Sequence, residues 1–171
     1  MVVLVTGANG QLGQAIQFIS DKYDDLLPKL NIQADDAFNA ELSSLQKLAG
    51  NMNPAQAAQF KNIVKNEITD KFTEYGKMSG ETMKQIESKL GDLSRNYLKA
   101  TEYDQQQLGS AIKEAQSILR GMVERNNPKY AGELQKINNA YANLLVIENA
   151  AGKTGAKEGV FTPAQLESAS R

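Results

Sequence analysis

The sequence predicts an all-α protein: a bundle of five to six mostly antiparallel helices behind a short non-helical or strand-like leader. Three observations lead to this prediction. Apolar residues recur at helical spacing from about residue 38 onward, proline and glycine stand where such helices should start and stop, and only residues 2–5 form a convincing strand. Strands and helices therefore do not alternate as they would in an α/β protein.

Each predicted helix carries one narrow apolar stripe. In the first, Phe38, Leu42, Leu45 and Ala49 are spaced by four, three and four positions. Such steps favour long helices packed nearly antiparallel at shallow crossing angles. Later segments repeat them at Phe60, Val64, Ile68, Phe72 and Tyr75, at Met83, Ile86, Leu90, Leu93 and Tyr97, at Leu108, Ile112, Ala115, Leu119 and Met122, and at Tyr130, Leu134, Ile137, Tyr141 and Leu144. The stripes are too short for a long parallel coiled coil, so a bundle is favoured. Helices are predicted near residues 33–49, 54–75, 80–100, 104–126, 129–151 and 163–170.

Capping residues agree with these boundaries. Asn53 is suited to cap a helix that has Pro54 at its first position, and Gln56 stands where a capping box places a glutamine. The Thr162–Gln165 segment repeats this pattern near the end of the chain. Further stops are expected from glycines after the apolar stripes, namely Gly50, Gly76 and Gly152.

Composition excludes several kinds of site. The 171 residues include no cysteine and no histidine, which removes disulfides, thiolate or imidazole metal ligands and every histidine-dependent catalytic arrangement. There are 19 basic and 20 acidic residues, giving a net charge of −1. This balanced charge therefore gives no indication that the chain binds DNA, although it does not exclude local polar contacts to DNA. No stretch has the roughly 18 apolar residues of a membrane span. We expect a non-enzymatic chain without catalytic residues, metal site or cofactor.

The leader contains a glycine pattern that points to a different function. Val2–Val5 has the composition of a strand and runs into Gly7-x-x-Gly10-x-x-Gly13. This spacing lets backbone amides at a helix N-terminus approach a pyrophosphate. Residues 1–13 resemble the start of the dTDP-4-dehydrorhamnose reductases. The resemblance implies the alternative function, a fragment of an NAD(P)H-dependent oxidoreductase in which Gly7, Gly10 and Gly13 bind the cofactor.

The rest of the chain lacks what that enzyme family needs. Residues 26–32 offer only a proline-broken second strand, and none of the tyrosines is followed four positions later by the lysine of a Tyr-x-x-x-Lys pair. We therefore interpret residues 1–16 as a fragment, a recombined leader or a flexible lead into the first helix, and residues 17–171 as a helical domain. Clear binding of NADPH, measured by the fluorescence of its nicotinamide, would instead favour the reductase.

Some polar residues allow a functional and a structural interpretation. Asp24/Asp25 and Asp35/Asp36 could be hydrolytic acids or a cation site, but neighbouring side chains on a helix diverge, so a solvated face or a complement to the helix dipole is favoured. Tyrosines at stripe positions are expected in the core with a polar tip. The segments Arg125–Pro128, Asn138–Asn143 and Gly159–Leu166 are interpreted as a clasp that ties the last helix to the bundle.

Those three segments also carry a resemblance, together with Gln107-Leu108-Gly109 and the run from Ser79-Gly80-Glu81-Thr82 to Leu93. From about residue 20 to the end, the chain resembles a helical region of large tailed-phage and prophage virion proteins, described as DNA-transfer, injection or internal virion proteins. The resemblance implies a non-enzymatic structural module of a virion, part of the DNA-ejection apparatus. Its partners would be other virion proteins or copies of itself. It would reside in the virion, and in the cytoplasm while the bacterial host expresses it.

Overall fold

The computed structural model describes residues 8–153, and this part of the chain is helical apart from short connections. It contains six α-helices and no strand, which confirms the predicted all-α bundle. None of these described helices combines the length and the apolar character needed to cross a membrane. The helices are α1 (Ala8–Leu26), α2 (Asp36–Ala49), α3 (Pro54–Glu67), α4 (Gly80–Leu98), α5 (Tyr103–Asn126) and α6 (Ala131–Lys153).

The chain divides into two compact units. The central unit, Leu27–Ala131, contains α2 to α5 and two short 3-10 helices, Leu27–Lys29 and Thr69–Lys71. The flanking unit comprises Met1–Leu26 and Gly132–Arg171, of which residues 8–26 and 132–153 are described. The central unit is therefore continuous in sequence, and the chain enters it at Leu27 and leaves it at Ala131.

Helix α5 lies at the centre of the central unit. It packs against α2, α3 and α4, most extensively against α4. Its buried face includes Ile118 and Val123 as well as the predicted stripe, so it is wider than a single stripe because three helices cover it. The predicted stripes are confirmed by burial of Phe38 and Leu42 in α2, Phe60 and Val64 in α3, Met83, Ile86 and Leu90 in α4, and Leu108, Ile112, Ala115, Leu119 and Met122 in α5.

Helices α4 and α5 form an antiparallel pair joined by residues 99–102. Glu87 in α4 bonds to Arg120 in α5, so the two helices stay in contact well away from this connection. Helix α2 begins beside the end of α5, because Asp35 just before α2 contacts Arg125 in the last turn of α5. The α4–α5 pair thus has the predicted antiparallel arrangement.

Helix α3 ends at Glu67, well before the predicted end at residue 75. Thr69 contributes to this early end, since its Oγ1 donates to Lys65 O at 3.1 Å and a hydroxyl of this kind competes with helical backbone bonding. The chain then reverses at Gly76, whose φ of 68° favours glycine over any residue with a side chain. The apolar spacing continued past Glu67, but the backbone conformation did not.

The early end of α3 changes the positions of two aromatic residues. The Phe72 ring packs against the Phe38 ring of α2, with centroids 5.6 Å apart. Tyr75 is 75% exposed, so the expectation that stripe tyrosines lie in the core was wrong for this residue. Its position follows from the turn before Gly76, which carries it out of the stripe that Phe60 and Val64 begin.

Helix α1 begins at Ala8, so residues 8–16 of the expected leader are helical, and the expected boundary at residue 16 lies within a helix. The expected strand Val2–Val5 and the helix expected at residues 163–170 lie outside the described residues. Within α1, apolar side chains recur at steps of three and four positions, which explains why this segment is helical. The half-buried members of this row are Ile16, Ile19 and Tyr23.

The N-terminus of α3 confirms part of the predicted cap. Asn53 Oδ1 accepts a hydrogen bond from Ala55 N at 3.0 Å, with Pro54 at the first helical position. Gln56 does not complete the capping box, because its Oε1 atom is buried and has no hydrogen-bond partner in the described structure. The asparagine and the proline therefore define the start of α3 without help from the glutamine.

Candidate functional site

The glycine segment lies only partly within the described residues. Gly7 lies outside them, while Gly10 and Gly13 lie within α1. Among the described residues, a Cβ added to Gly13 would meet no atom within 4 Å. Residues 8–153 contain no parallel sheet of the kind that seats a dinucleotide at its strand ends in nucleotide-binding folds.

An extended polar contact joins residues 31–35 to the last turn of α5 and the residue after it, residues 125–127. We call this contact the edge clasp. Asn31 N donates to Asn127 Oδ1 at 2.8 Å, and Asn127 Nδ2 donates back to Asn31 O at 2.6 Å. Asn127 Nδ2 also donates to Val123 O at 2.8 Å, which fixes the side chain on its own helix. Because a side-chain amide presents a donor and an acceptor side by side, Asn127 replaces the edge of a neighbouring strand.

The opposite edge of residues 31–35 pairs with main chain. Met78 N donates to Ile32 O at 3.0 Å, and Ala34 N donates to Gly76 O at 2.8 Å. Successive residues of an extended segment direct their backbone groups to opposite edges, so odd and even positions find different partners. Residues 31–35 are therefore held along both edges although the described chain has no sheet.

Arg125 closes the inner end of the edge clasp. Its Nε and Nη2 donate to the two carboxylate oxygens of Asp35 at 2.9 and 3.0 Å, and Asn126 Nδ2 donates to Gln33 O at 2.5 Å. Asp35 also accepts from Phe38 N at 2.7 Å and caps α2, which confirms the role predicted for it at a helix N-terminus. The Arg125 guanidinium lowers the pKa of Asp35 below its ordinary value of 3.8.

A second arginine–carboxylate pair lies in the α4–α5 interface. Arg120 donates through Nε and Nη2 to Glu87 Oε2 at 2.9 and 2.7 Å. Gln116 Nε2 donates to the same oxygen and to Glu87 O, each at 3.0 Å. The Glu87 side chain is only 12% exposed, and burial raises its pKa above the ordinary value of 4.5 although Arg120 and Gln116 oppose the shift. These bonds fix the register of α4 on α5.

Two glycines of the central unit permit close packing. A Cβ on Gly109 would lie 2.8 Å from Leu98 N, and one on Gly80 would lie 2.7 Å from Leu27 O. Either contact is too short for real Cβ atoms, so backbone would have to move. Ser79, directly before Gly80, caps α4 with its hydroxyl. All three residues position helices.

One of the polar segments near the C-terminus has a different role from the one expected. Arg125–Pro128 was expected to tie the last helix to the bundle, but in the structure residues 125–127 tie α5 to the segment before α2. Asn143 is exposed on α6, and Gly159–Leu166 lies outside the described residues. Asp24 and Asp25 are both exposed on α1, as the favoured interpretation required.

The Glu87–Arg120 pair was not predicted from the sequence. A usable signal exists, because Glu87 directly follows the stripe residue Ile86 and Arg120 directly follows the stripe residue Leu119. Charged residues beside facing stripes, on helices joined by a short connection, can meet across an antiparallel pair. Nothing in either helix alone shows that the two side chains are in register.

The described polar clusters connect parts of the fold. Among residues 8–153, no group of three or more aspartates or glutamates is placed to hold a metal ion. The edge clasp and the Glu87–Arg120 pair both connect segments of the central unit. A scan against protein-family models found no match, and neither did a search of curated proteins or a search of solved structures.

Proposed function

We propose that this chain is a non-enzymatic structural module of a phage or prophage virion and belongs to the apparatus that ejects DNA. One observation supports this proposal most: residues that carry the virion-protein resemblance are needed to pack the central unit. Gly80 and Gly109 allow close approach, Ser79 caps α4, and Asn127 completes the edge clasp. A resemblance concentrated in such positions is what two chains with the same helical module would share.

The proposed partners are other virion proteins or further copies of the chain, and the proposed location is the virion. Several large side chains of the described chain are exposed and would be available for such contacts. They include Leu48, Tyr75 and Tyr103, which are between 67% and 75% exposed. A negative net charge of −1 gives no general attraction to DNA, so the proposal assigns contact to proteins.

Mass spectrometry of purified particles tests the proposal. Particles of the phage or induced prophage that encodes the chain should contain it, and particles emptied by receptor-triggered ejection should have lost it. A capsid protein that stays in the emptied particle provides the control. Absence from intact particles would contradict a virion role, whereas full retention after ejection would contradict only the role in ejection.

Self-association and partner binding are tested on purified protein. Sedimentation velocity and chemical cross-linking with isolated portal and tail proteins should give a complex or an oligomer. Tyr103→Ser and Tyr75→Ser, which change exposed side chains at separate places in the central unit, show whether either region takes part. A chain that stays monomeric and binds neither virion proteins nor DNA would count against the proposal.

A further inference from the structure

The edge clasp lies where the chain enters and leaves the central unit. The unit spans Leu27 to Ala131, and the clasp joins residues 31–35 near one limit to residues 125–127 near the other. Tension applied at Lys29 and Lys129 would therefore reach these hydrogen bonds before it reached the α4–α5 interface. We propose that the edge clasp is a force-sensitive strap that opens first when the two ends of the central unit are pulled apart.

The order of the hydrogen bonds supports this behaviour. From the ends inward, Asn31 pairs with Asn127, then Gln33 O accepts from Asn126, and then Asp35 pairs with Arg125. As one segment runs inward with increasing residue number, the other runs inward with decreasing number. Pulling at the two ends therefore loads these contacts one after another, and the net contribution of each single hydrogen bond to stability is small.

The other edge determines which segment leaves. Residues 31–35 keep their pairing with main chain through Met78 N to Ile32 O and Ala34 N to Gly76 O. Residues 125–127 are held to residues 31–35 chiefly by side chains that extend from the end of α5. The end of α5 is therefore the part that peels away, and residues 31–35 stay on the rest of the unit.

The α4–α5 interface is built to open later. It holds the Glu87–Arg120 pair, and the buried side chains of its two helices include Leu90, Ile112 and Leu119. These contacts are distributed along two long helices and share a load, so they do not break singly. The strap acts on the purified chain by itself and does not depend on the proposed virion function.

Single-molecule pulling on the full chain tests the strap. The chain has no cysteine, so Lys29→Cys and Lys129→Cys give unique attachment points at the ends of the unit, both at exposed positions. Lys89→Cys and Lys113→Cys give a second geometry, across α4 and α5, that does not pull on the clasp. We expect an early opening step at low force in the first geometry and a single step at higher force in the second.

Asn127→Ala should lower the force of the early step and leave the second geometry unchanged, while Asn139→Ala, at an exposed position of α6, should change neither. One rupture at the same force in both geometries would overturn the strap. So would an early step whose force Asn127→Ala does not lower.

Hydrogen exchange of the unaltered chain provides a test that does not require any variant to fold. In mild denaturant the amide of Asn31, which donates to Asn127, should exchange before the amides of Leu90 and Ile112. Asn127→Ala should speed exchange at Asn31 by roughly tenfold, the change expected when one or two hydrogen bonds are lost. Equal exchange of all three amides at every denaturant concentration would contradict an independently opening strap.

Discussion

The α4–α5 interface and the edge clasp both contain an arginine whose Nε and Nη2 donate to a carboxylate, yet the pKa values of the two carboxylates shift in opposite directions. In the interface, the Glu87 side chain is 12% exposed and burial raises its pKa. In the clasp, the Asp35 side chain is 29% exposed and Arg125 lowers its pKa. In such an arginine–carboxylate pair, the direction of the carboxylate's pKa shift therefore depends on how much of its hydration the carboxylate has lost.

The difference teaches what each pair contributes. A buried pair gains little net stability because desolvation offsets the attraction, but removal of one partner leaves a charge in an apolar place. Removal of either partner from a partly exposed pair costs less stability, since water replaces the missing partner. The Glu87–Arg120 pair should thus control the register of two helices, and the Asp35–Arg125 pair should help to close the ends of the unit.

The largest expected effect comes from breaking the buried pair. Arg120→Met leaves Glu87 without its countercharge and should lower the free energy of unfolding by about 3 kcal/mol. Arg125→Met, the matched change in the clasp, should lower it by about 1 kcal/mol or less. Urea denaturation followed by circular dichroism measures both. The double variant Glu87→Leu/Arg120→Met should recover most of the loss, and equal losses for the two single variants would refute the comparison.

Close packing of the interface can be tested at Gly109. In Gly109→Ala the added Cβ would lie 2.8 Å from Leu98 N, so α4 and α5 should separate slightly at a net cost of about 1 to 3 kcal/mol. Gly132→Ala in α6, where an added Cβ meets no atom within 4 Å, should instead be neutral or stabilise by up to about 1 kcal/mol. Thermal unfolding of the two variants decides the point. A Gly109→Ala variant as stable as the unaltered chain would show that the interface tolerates separation.

Opposite pKa shifts predict opposite pH dependence. Asp35 has a lowered pKa, so its stabilisation is present above its ordinary value of 3.8 and is lost as pH falls through the lower value in the folded state. Glu87 has a raised pKa, so its contribution is present below its ordinary value of 4.5 and is lost as pH rises through the higher folded value. Unfolding free energies measured between about pH 2 and 8 should show both slopes.

Two substitutions separate these slopes. Asp35→Asn keeps a residue that caps helices well, so it should remove the acid-side loss while α2 still begins at the same place. Glu87→Gln should remove the loss that appears as pH rises. Profiles in which both variants keep the slopes of the unaltered chain would show that other carboxylates control the pH response.

The smallest effect is expected from salt. At about 1 M salt the screening length falls to roughly 3 Å, which weakens exposed charge pairs more than buried ones. The coupling energy between Asp35 and Arg125, measured by a double-mutant cycle, should fall towards zero from a starting value below about 1 kcal/mol. The coupling between Glu87 and Arg120 should change less. A larger salt effect at the buried pair would reverse the comparison.

The sequence was sufficient to predict elements whose signals are local. The stripes from Leu108 to Met122 and from Met83 to Leu90 were identified by spacing, and Asn53 with Pro54 marked the start of α3. The end of α3 was not predicted, because apolar residues continued at helical spacing through Phe72 after the backbone had turned. Local spacing records which residues prefer a buried side, and it does not record where the chain reverses.

The edge clasp could not be predicted from spacing at all. Asn31 and Asn127 are 96 positions apart in sequence, and their pairing depends on how the segment before α2 packs against the end of α5. The segment Arg125–Pro128 was recognised as more specified than a helix end requires, but its partner was not identified. The register of Glu87 against Arg120 was missed for the same reason, since each side chain acquires its role only when both helices are in place.

Asn127 also has a consequence for behaviour at high concentration. An extended segment whose backbone groups are unpaired along one edge is a template on which another molecule can add a strand and begin to aggregate. The Asn127 side-chain amide forms hydrogen bonds with the backbone N–H and C=O of Asn31, and Asn126 Nδ2 donates to the carbonyl of Gln33. These two asparagine side chains thus protect this edge from the addition of a strand, as a covering strand would in a larger sheet.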